Sequence, residues 1–238
     1  MTEVLLNVNN KENKVSFFTY KNLLVTFLSV LGFSFLSGMF LALVAGIYGE
    51  EAVKNITQGY YILVIDAIVT MLVVLFYKPA RNFITDIWNV SVLKVPKTYG
   101  YILLGFIFIF ISQYITLSLL GFESAEQQRN QLGVASLQNN VIQNIIYIFS
   151  IAFITPIKEE VMYRGIFYRF LEQRHNFIVG ILVSSLVFGL SHGGLPITAT
   201  IMGMVFVILY KKTNSILPSI ILHVIWNLIV SISTILSY

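Results

Sequence analysis

Six side chains in the second half of the chain could do acid–base chemistry together: Glu159, Glu160, Arg164, His192, His223 and Asn227. Their setting singles them out. Each stands in an apolar run, where an ionisable group costs about 2.5–3.5 kcal/mol on insertion scales and calls for a partner or a function. In Pro156-Ile-Lys-Glu-Glu-Val-Met-Tyr-Arg-Gly165 the two adjacent carboxylates point about 100° apart on a helix, so they cannot serve one partner. Glu160 and Arg164 stand four apart and can pair on one face, which leaves Glu159 free for other work. Phe188 and His192 share a helix face, as do His223 and Asn227. Of the three histidines in the chain, only His175 falls in a turn, where solvent should reach it. A free carboxylate beside imidazoles is the equipment of a general base acting on water, or of an oxygen–nitrogen metal site.

These groups must be carried by membrane helices. The chain has 238 residues, 57% hydrophobic and 11% charged, against about 25% charged in soluble domains. Seven apolar runs could each supply a span: Leu23–Tyr48, Tyr60–Tyr77, Tyr99–Gly121, Val141–Phe170, Phe177–Gly194, Ile197–Tyr210 and Ile216–Ser237. The first is too long for a signal-peptide core and reads as a retained span. The expected fold is therefore an all-α, polytopic transmembrane bundle. A polar cytoplasmic N-terminus (1–22) precedes accessory helices (23–140) and a catalytic core (141–238).

The cations fix a direction. With the N-terminus cytoplasmic, the inner segments hold Lys11, Lys14, Lys21, Lys78, Arg81, Lys94, Lys97, Arg169, Arg174, Lys211 and Lys212, and the outer ones only Lys54 and Arg129. That asymmetry follows the positive-inside rule. It also accounts for the net charge of +4 without a nucleic-acid partner. The absence of cysteine excludes disulfides, thiolate metal sites and a cysteine nucleophile. The segment 82–98, with Trp88, is expected on the inner membrane surface. The outer loop 123–140 is expected to be a solvated connection. Asp66 has no evident partner and reads as a helix-pairing residue.

The three polar helices can meet. Glu159 lies 16 residues before His175 and His192 lies 16 after Asn176. Both are thus roughly 24 Å from the turn and at one depth in an antiparallel pair. His223 is about 12 Å from the inner end of the last span and joins them if that end lies deeper.

The motifs Glu159-Glu160-x-x-x-Arg164, Phe188-x-x-x-His192 and His223-x-x-x-Asn227, in this order, resemble those of the CAAX protease and bacteriocin-processing family. Pro156 before the acids, Gly165 after the arginine and Leu217-Pro218-Ser219 before the last motif agree with it. The resemblance spans about residues 141–228. It implies a multi-pass peptidase of the cell membrane, working on a membrane-associated peptide or protein in contact with lipid, and the chain's richness in Ile, Asn and Lys points to an AT-rich bacterial genome. Roles in peptide processing or bacteriocin self-immunity are both known in that family.

In the mechanism expected here, Glu159 and His192 hold and activate a water, His223 and Asn227 polarise the scissile carbonyl, and Arg164 fixes Glu160. Zinc held by Glu159, His192 and His223 is the rival, as the family's metalloprotease label suggests, although the His-Glu-x-x-His spacing of soluble zinc proteases is missing. Ser191 adjoins His192 but should point about 100° away. A non-catalytic immunity or binding protein is the competing function. A transporter is disfavoured because the polar residues are confined to one half of the chain.

Overall fold

The computed structural model describes residues 18–54, 56–137 and 141–237. The polar N-terminal stretch with Lys11 and Lys14, and the far end of the outer loop at 138–140, lie outside them. The described residues form helices α1 (Tyr20–Tyr48), α2 (Glu50–Val53), α3 (Gly59–Phe76) and α4 (Lys78–Phe83), then α5 (Pro96–Leu119) and α6 (Glu126–Leu132). The long α7 (Val141–Arg174) follows, and then α8 (Phe177–Leu190), α9 (Pro196–Thr213) and α10 (Leu217–Leu236). No strand occurs among the described residues.

The helix limits follow local chemistry. The Thr19 hydroxyl accepts from the Asn22 amide at 3.2 Å and opens α1, and Asn176 does the same for α8 through Val179 at 3.0 Å, each satisfying an orphan first-turn donor. Pro96, Pro196 and Pro218 sit in the first turns of α5, α9 and α10, where a missing N–H costs nothing. Each of the seven apolar runs emerges as one helix. Among the described residues α1, α3, α5, α7 and α10 are long and apolar enough to cross a membrane. Helix α8 has only 14 residues, and it pairs with α9 as a hairpin.

Helix α7 is central, packing on α3, α8, α9 and α10, while α5 closes the far side against α9 and α10. Helix α1 leans on α3 and turns Leu24, Leu28, Phe35 and Phe40 outward, as a lipid-facing helix does. Towards its C-terminal end, α7 buries Val161, Met162, Ile166 and Phe170 against Phe18, Ile84, Ile87 and Ile216. A second cluster joins Ile102 and Ile109 of α5 to Phe188, Phe206, Leu222 and Trp226.

The two connecting segments are more ordered than their polarity suggests. Segment 82–98 is pinned: Arg169 forms an ion pair with Asp86 and donates to the Phe83 carbonyl at 2.6 Å, and Ile216 N–H donates to Ile87 at 2.9 Å. The described part of the outer loop packs down on the α8–α9 tip instead of standing free in solvent. The Glu123 carboxylate accepts from Ile197 N–H, Thr198 N–H and the Thr198 hydroxyl, capping α9. Ser124 N–H donates to Gly194 at 3.2 Å. The fit demands glycine. Gly194 has φ +83°, and a Cβ there would sit 2.4 Å from the Ser124 carbonyl oxygen.

Candidate active site

Helix α7 departs twice from α geometry, widening into π-helix at Phe149–Ile154 and Glu160–Tyr168, a distortion common at functional sites. In the first wide turn Thr155 N–H reaches back five residues to the Ser150 carbonyl. The next donor in that register would be residue 156, and proline has none. The Ile151 carbonyl it would have served accepts instead from Asn227 Nδ2 at 2.9 Å. Asn227, expected beside the scissile carbonyl, thus has its amide nitrogen committed to the backbone of α7, bracing α10 against the kink.

Beyond Pro156 the two carboxylates diverge as their spacing requires. Glu160 is fully buried and lies 2.9 Å from Arg164 Nη1. The guanidinium sits over the rings of Phe188 and Phe206, 4.3 and 4.8 Å from their centroids, and Nη2 donates to the Gly203 carbonyl at 3.3 Å. Cation–π contact and backbone donation offset the desolvation of this ion pair. Glu160 Oε1 also contacts His223 Nδ1 at 3.1 Å. A carboxylate paired with arginine only accepts, so His223 carries a proton on Nδ1 and, in the neutral ring, presents an Nε2 lone pair. Phe206 stacks on the same imidazole at 4.7 Å and 23°. Neither Phe206 nor Gly203 belongs to a motif, and apolar α9 gave no signal that it lines the site.

His192 is oriented in the same sense. Its Nδ1 lies 2.7 Å from the Phe188 carbonyl, which can only accept, so Nδ1 carries a proton and in the neutral ring Nε2 again carries the lone pair. Ser191 stands beyond the last residue of α8, where helical spacing no longer governs, and its Oγ comes within 3.3 Å of His192 Nδ1. Because that nitrogen holds a proton, it cannot deprotonate the serine. Ser191 itself donates to Phe188 at 2.7 Å and accepts from Tyr163 at 3.2 Å.

Both lone pairs face Glu159. Its Oε2 is 4.0 Å from His192 Nε2 and 3.8 Å from His223 Nε2, is buried, and has no hydrogen-bond partner among the described groups. Three acceptors converge at distances too long for direct bonds. Two partners of one water lie about 3.8–4.6 Å apart when its hydrogen bonds are about 2.7–2.9 Å and the angle between them is about 90–105°, so the spacing admits a shared water with short, bent hydrogen bonds. Ligands about 2.0–2.1 Å from a tetrahedral zinc stand about 3.3 Å apart, so the 3.8 and 4.0 Å separations are too wide for bound zinc as they stand, and no group of three or more histidine and carboxylate side chains among the described residues has the arrangement of a metal site; Glu159, His192 and His223 are the residues that would hold the ion.

Two sequence expectations gain partners they lacked. Lys158 Nζ lies 2.9 Å from Asp66 Oδ2, and Ser34 of α1 donates to Asp66 Oδ1 at 2.7 Å. His175, in the inner turn, meets the Tyr20 hydroxyl at 2.9 Å near the surface.

Comparison with known proteins gives two matches. Residues 141–229 match a family model described as type II CAAX prenyl endopeptidase Rce1-like. A Bacillus subtilis (strain 168) protein, "Putative membrane peptidase YdiL", is 34% identical over 96 residues, which make up 39% of this chain and 39% of that relative. The chain therefore spans well under half of that relative's length in the match. No solved structure matches. The segment bearing Glu159, His192 and His223 is thus similar to the CAAX-type membrane peptidases.

Proposed function

We propose that the chain is an intramembrane endopeptidase that hydrolyses a peptide bond in a membrane-associated peptide or protein with water activated by Glu159. The observation that carries this is the convergence of Glu159 Oε2 with the Nε2 lone pairs of His192 and His223. A water held there donates one proton to Glu159 as its oxygen attacks the carbonyl carbon. Glu159 hands that proton to Nε2 of a facing imidazole, and the imidazolium meets the resulting oxyanion. That proton then passes to the leaving amine as the carbon–nitrogen bond breaks. Arg164 and Glu160 fix the His223 tautomer, the Phe188 carbonyl fixes that of His192, and Asn227 braces the helix that carries the base.

No step needs a metal. Residues 141–237 supply the chemistry and α1–α6 the packing around it. Seven crossings with a cytoplasmic N-terminus are the arrangement the cation asymmetry supports, and the Bacillus relative favours a bacterial cell membrane. The substrate is a peptide reached in or at the lipid bilayer.

Mass spectrometry of membrane peptides from cells carrying the wild type or Glu159→Gln tests the reading. Fragments present only with the wild type, and reproduced by purified protein in liposomes, are expected. If Glu159→Gln performs the cellular role as well as the wild type, the chain acts as a binding or immunity protein and the endopeptidase reading is lost.

A further inference from the structure

The charged groups of the bundle pair in a definite way. Glu160 has Arg164 at 2.9 Å. Asp66, on α3, has Lys158 at 2.9 Å and the Ser34 hydroxyl of α1 at 2.7 Å. Glu159 alone among these carboxylates has no cation in bonding contact, since Lys158 Nζ stands 4.0 Å from its Oε1. The lysine is the residue immediately before the base, and its side chain is only 14% exposed. An ammonium so placed would collapse onto Glu159 were nothing else holding it, because in a low-dielectric interior an ion pair at contact is strongly favoured over one apart. A carboxylate locked to lysine is a poor proton acceptor.

We infer that Asp66 is a positioning residue of the active site: by holding Lys158 away, it keeps Glu159 unpaired and free to act on water. The inference rests on Glu159 being the base. It gives α3, in the half of the chain without motifs, a part in the chemistry. A purely structural pair would not need to lie beside the base. Buried ion pairs can be replaced by apolar groups of similar volume without loss of stability, so helix pairing alone does not require these charges.

The test uses full-length protein in liposomes, with the peptide cleaved by the wild type as substrate and turnover expressed per folded molecule from thermal unfolding. Asp66→Asn is expected to lower kcat by about 10²-fold, the low end of what a general base contributes, with KM unchanged. Adding Lys158→Met to Asp66→Asn removes the stray cation and should restore kcat to within a few-fold of wild type. A cryo-EM structure of Asp66→Asn should show Lys158 Nζ within about 3 Å of Glu159. Wild-type kcat per folded Asp66→Asn molecule, or a double variant as inactive as the single one, overturns the inference, as does a lysine that stays put in the variant structure. Activity in Glu159→Gln would instead defeat the underlying assignment of the base, so the two failures are told apart.

Discussion

Asn227 Nδ2 donates to the Ile151 carbonyl at 2.9 Å, the very carbonyl that Pro156 cannot serve in the wide turn of α7. Asn227→Ala leaves that carbonyl unsatisfied and should cost about 1–2 kcal/mol of stability. Pro156→Ala restores an N–H in register, so the same asparagine substitution should cost roughly 1 kcal/mol less in that background. Thermal or denaturant unfolding of the four proteins in detergent measures the coupling. Strict additivity would mean that the two residues do not share this carbonyl.

The two glutamates should behave oppositely when neutralised. The nearest lysine or arginine nitrogen to Glu159, Lys158 Nζ, stands 4.0 Å away and is bonded to Asp66 instead, so Glu159→Gln is expected to fold normally and to lose 10²–10⁴-fold in turnover, roughly the contribution of a general base. Glu160 and Arg164 form a fully buried pair. Removing either leaves an uncompensated charge, costing about 3–5 kcal/mol, so Glu160→Gln and Arg164→Met should lower the yield of folded protein as well as activity. Size-exclusion profiles beside turnover per folded molecule separate the two effects.

Chelation should leave turnover unchanged. Elemental analysis of the purified, active protein should find zinc well below one atom per chain. Activity lost to a chelator and regained with zinc alone would move the chemistry to a metal-bound water.

The Asp86–Arg169 pair gives a pH-dependent contribution outside the spans. Hydrogen bonding to Arg169 holds the Asp86 carboxyl below its ordinary value of 3.8. A depressed folded-state value means the pair stabilises fully above that ordinary value and fades as pH falls through the lower one. Asp86 is 64% exposed, and screening keeps the effect within about 1 kcal/mol. The melting-temperature gap between wild type and Asp86→Asn should be constant near neutrality and close in strong acid.

Gly194→Ala should unseat the outer loop. Its φ of +83° and the Ser124 oxygen 2.4 Å from the new Cβ together cost about 1–2 kcal/mol or more. Faster protease nicking between Ser124 and Leu137 than in the wild type is expected, with the spans intact.

Much of this was legible in the sequence because lipid makes charge conspicuous. Glu159, His192 and His223 stood out against apolar runs, and equal counts from the 175–176 turn put two of them at one depth. Asp66–Lys158 was not legible: the two lie 92 residues apart, and neither helix carries a periodic signal of the other. The outer loop was read as solvated because its residues are polar, yet those groups satisfy the exposed end of α9. Phe206 and Gly203 were hidden for the opposite reason, since an aromatic ring and a glycine in an apolar helix look like packing whether or not a histidine or an arginine lies against them. Asn227 was placed beside the substrate on its motif alone, because neither the phase of a π-turn nor the carbonyl it strands can be read from residue types.

The wide turn at Phe149–Ile154 sets the angular phase of everything downstream on α7. Wound at 3.6 residues per turn, the same six residues would advance every later side chain by about 100°, carrying Glu159 away from both imidazoles. The wide turn thus takes up one residue of slack: a substitution that tightened it without shortening the chain would give a better-formed helix and a mute enzyme, whereas a single-codon gap that also removed the bulge would leave the carboxylate facing nearly the same way.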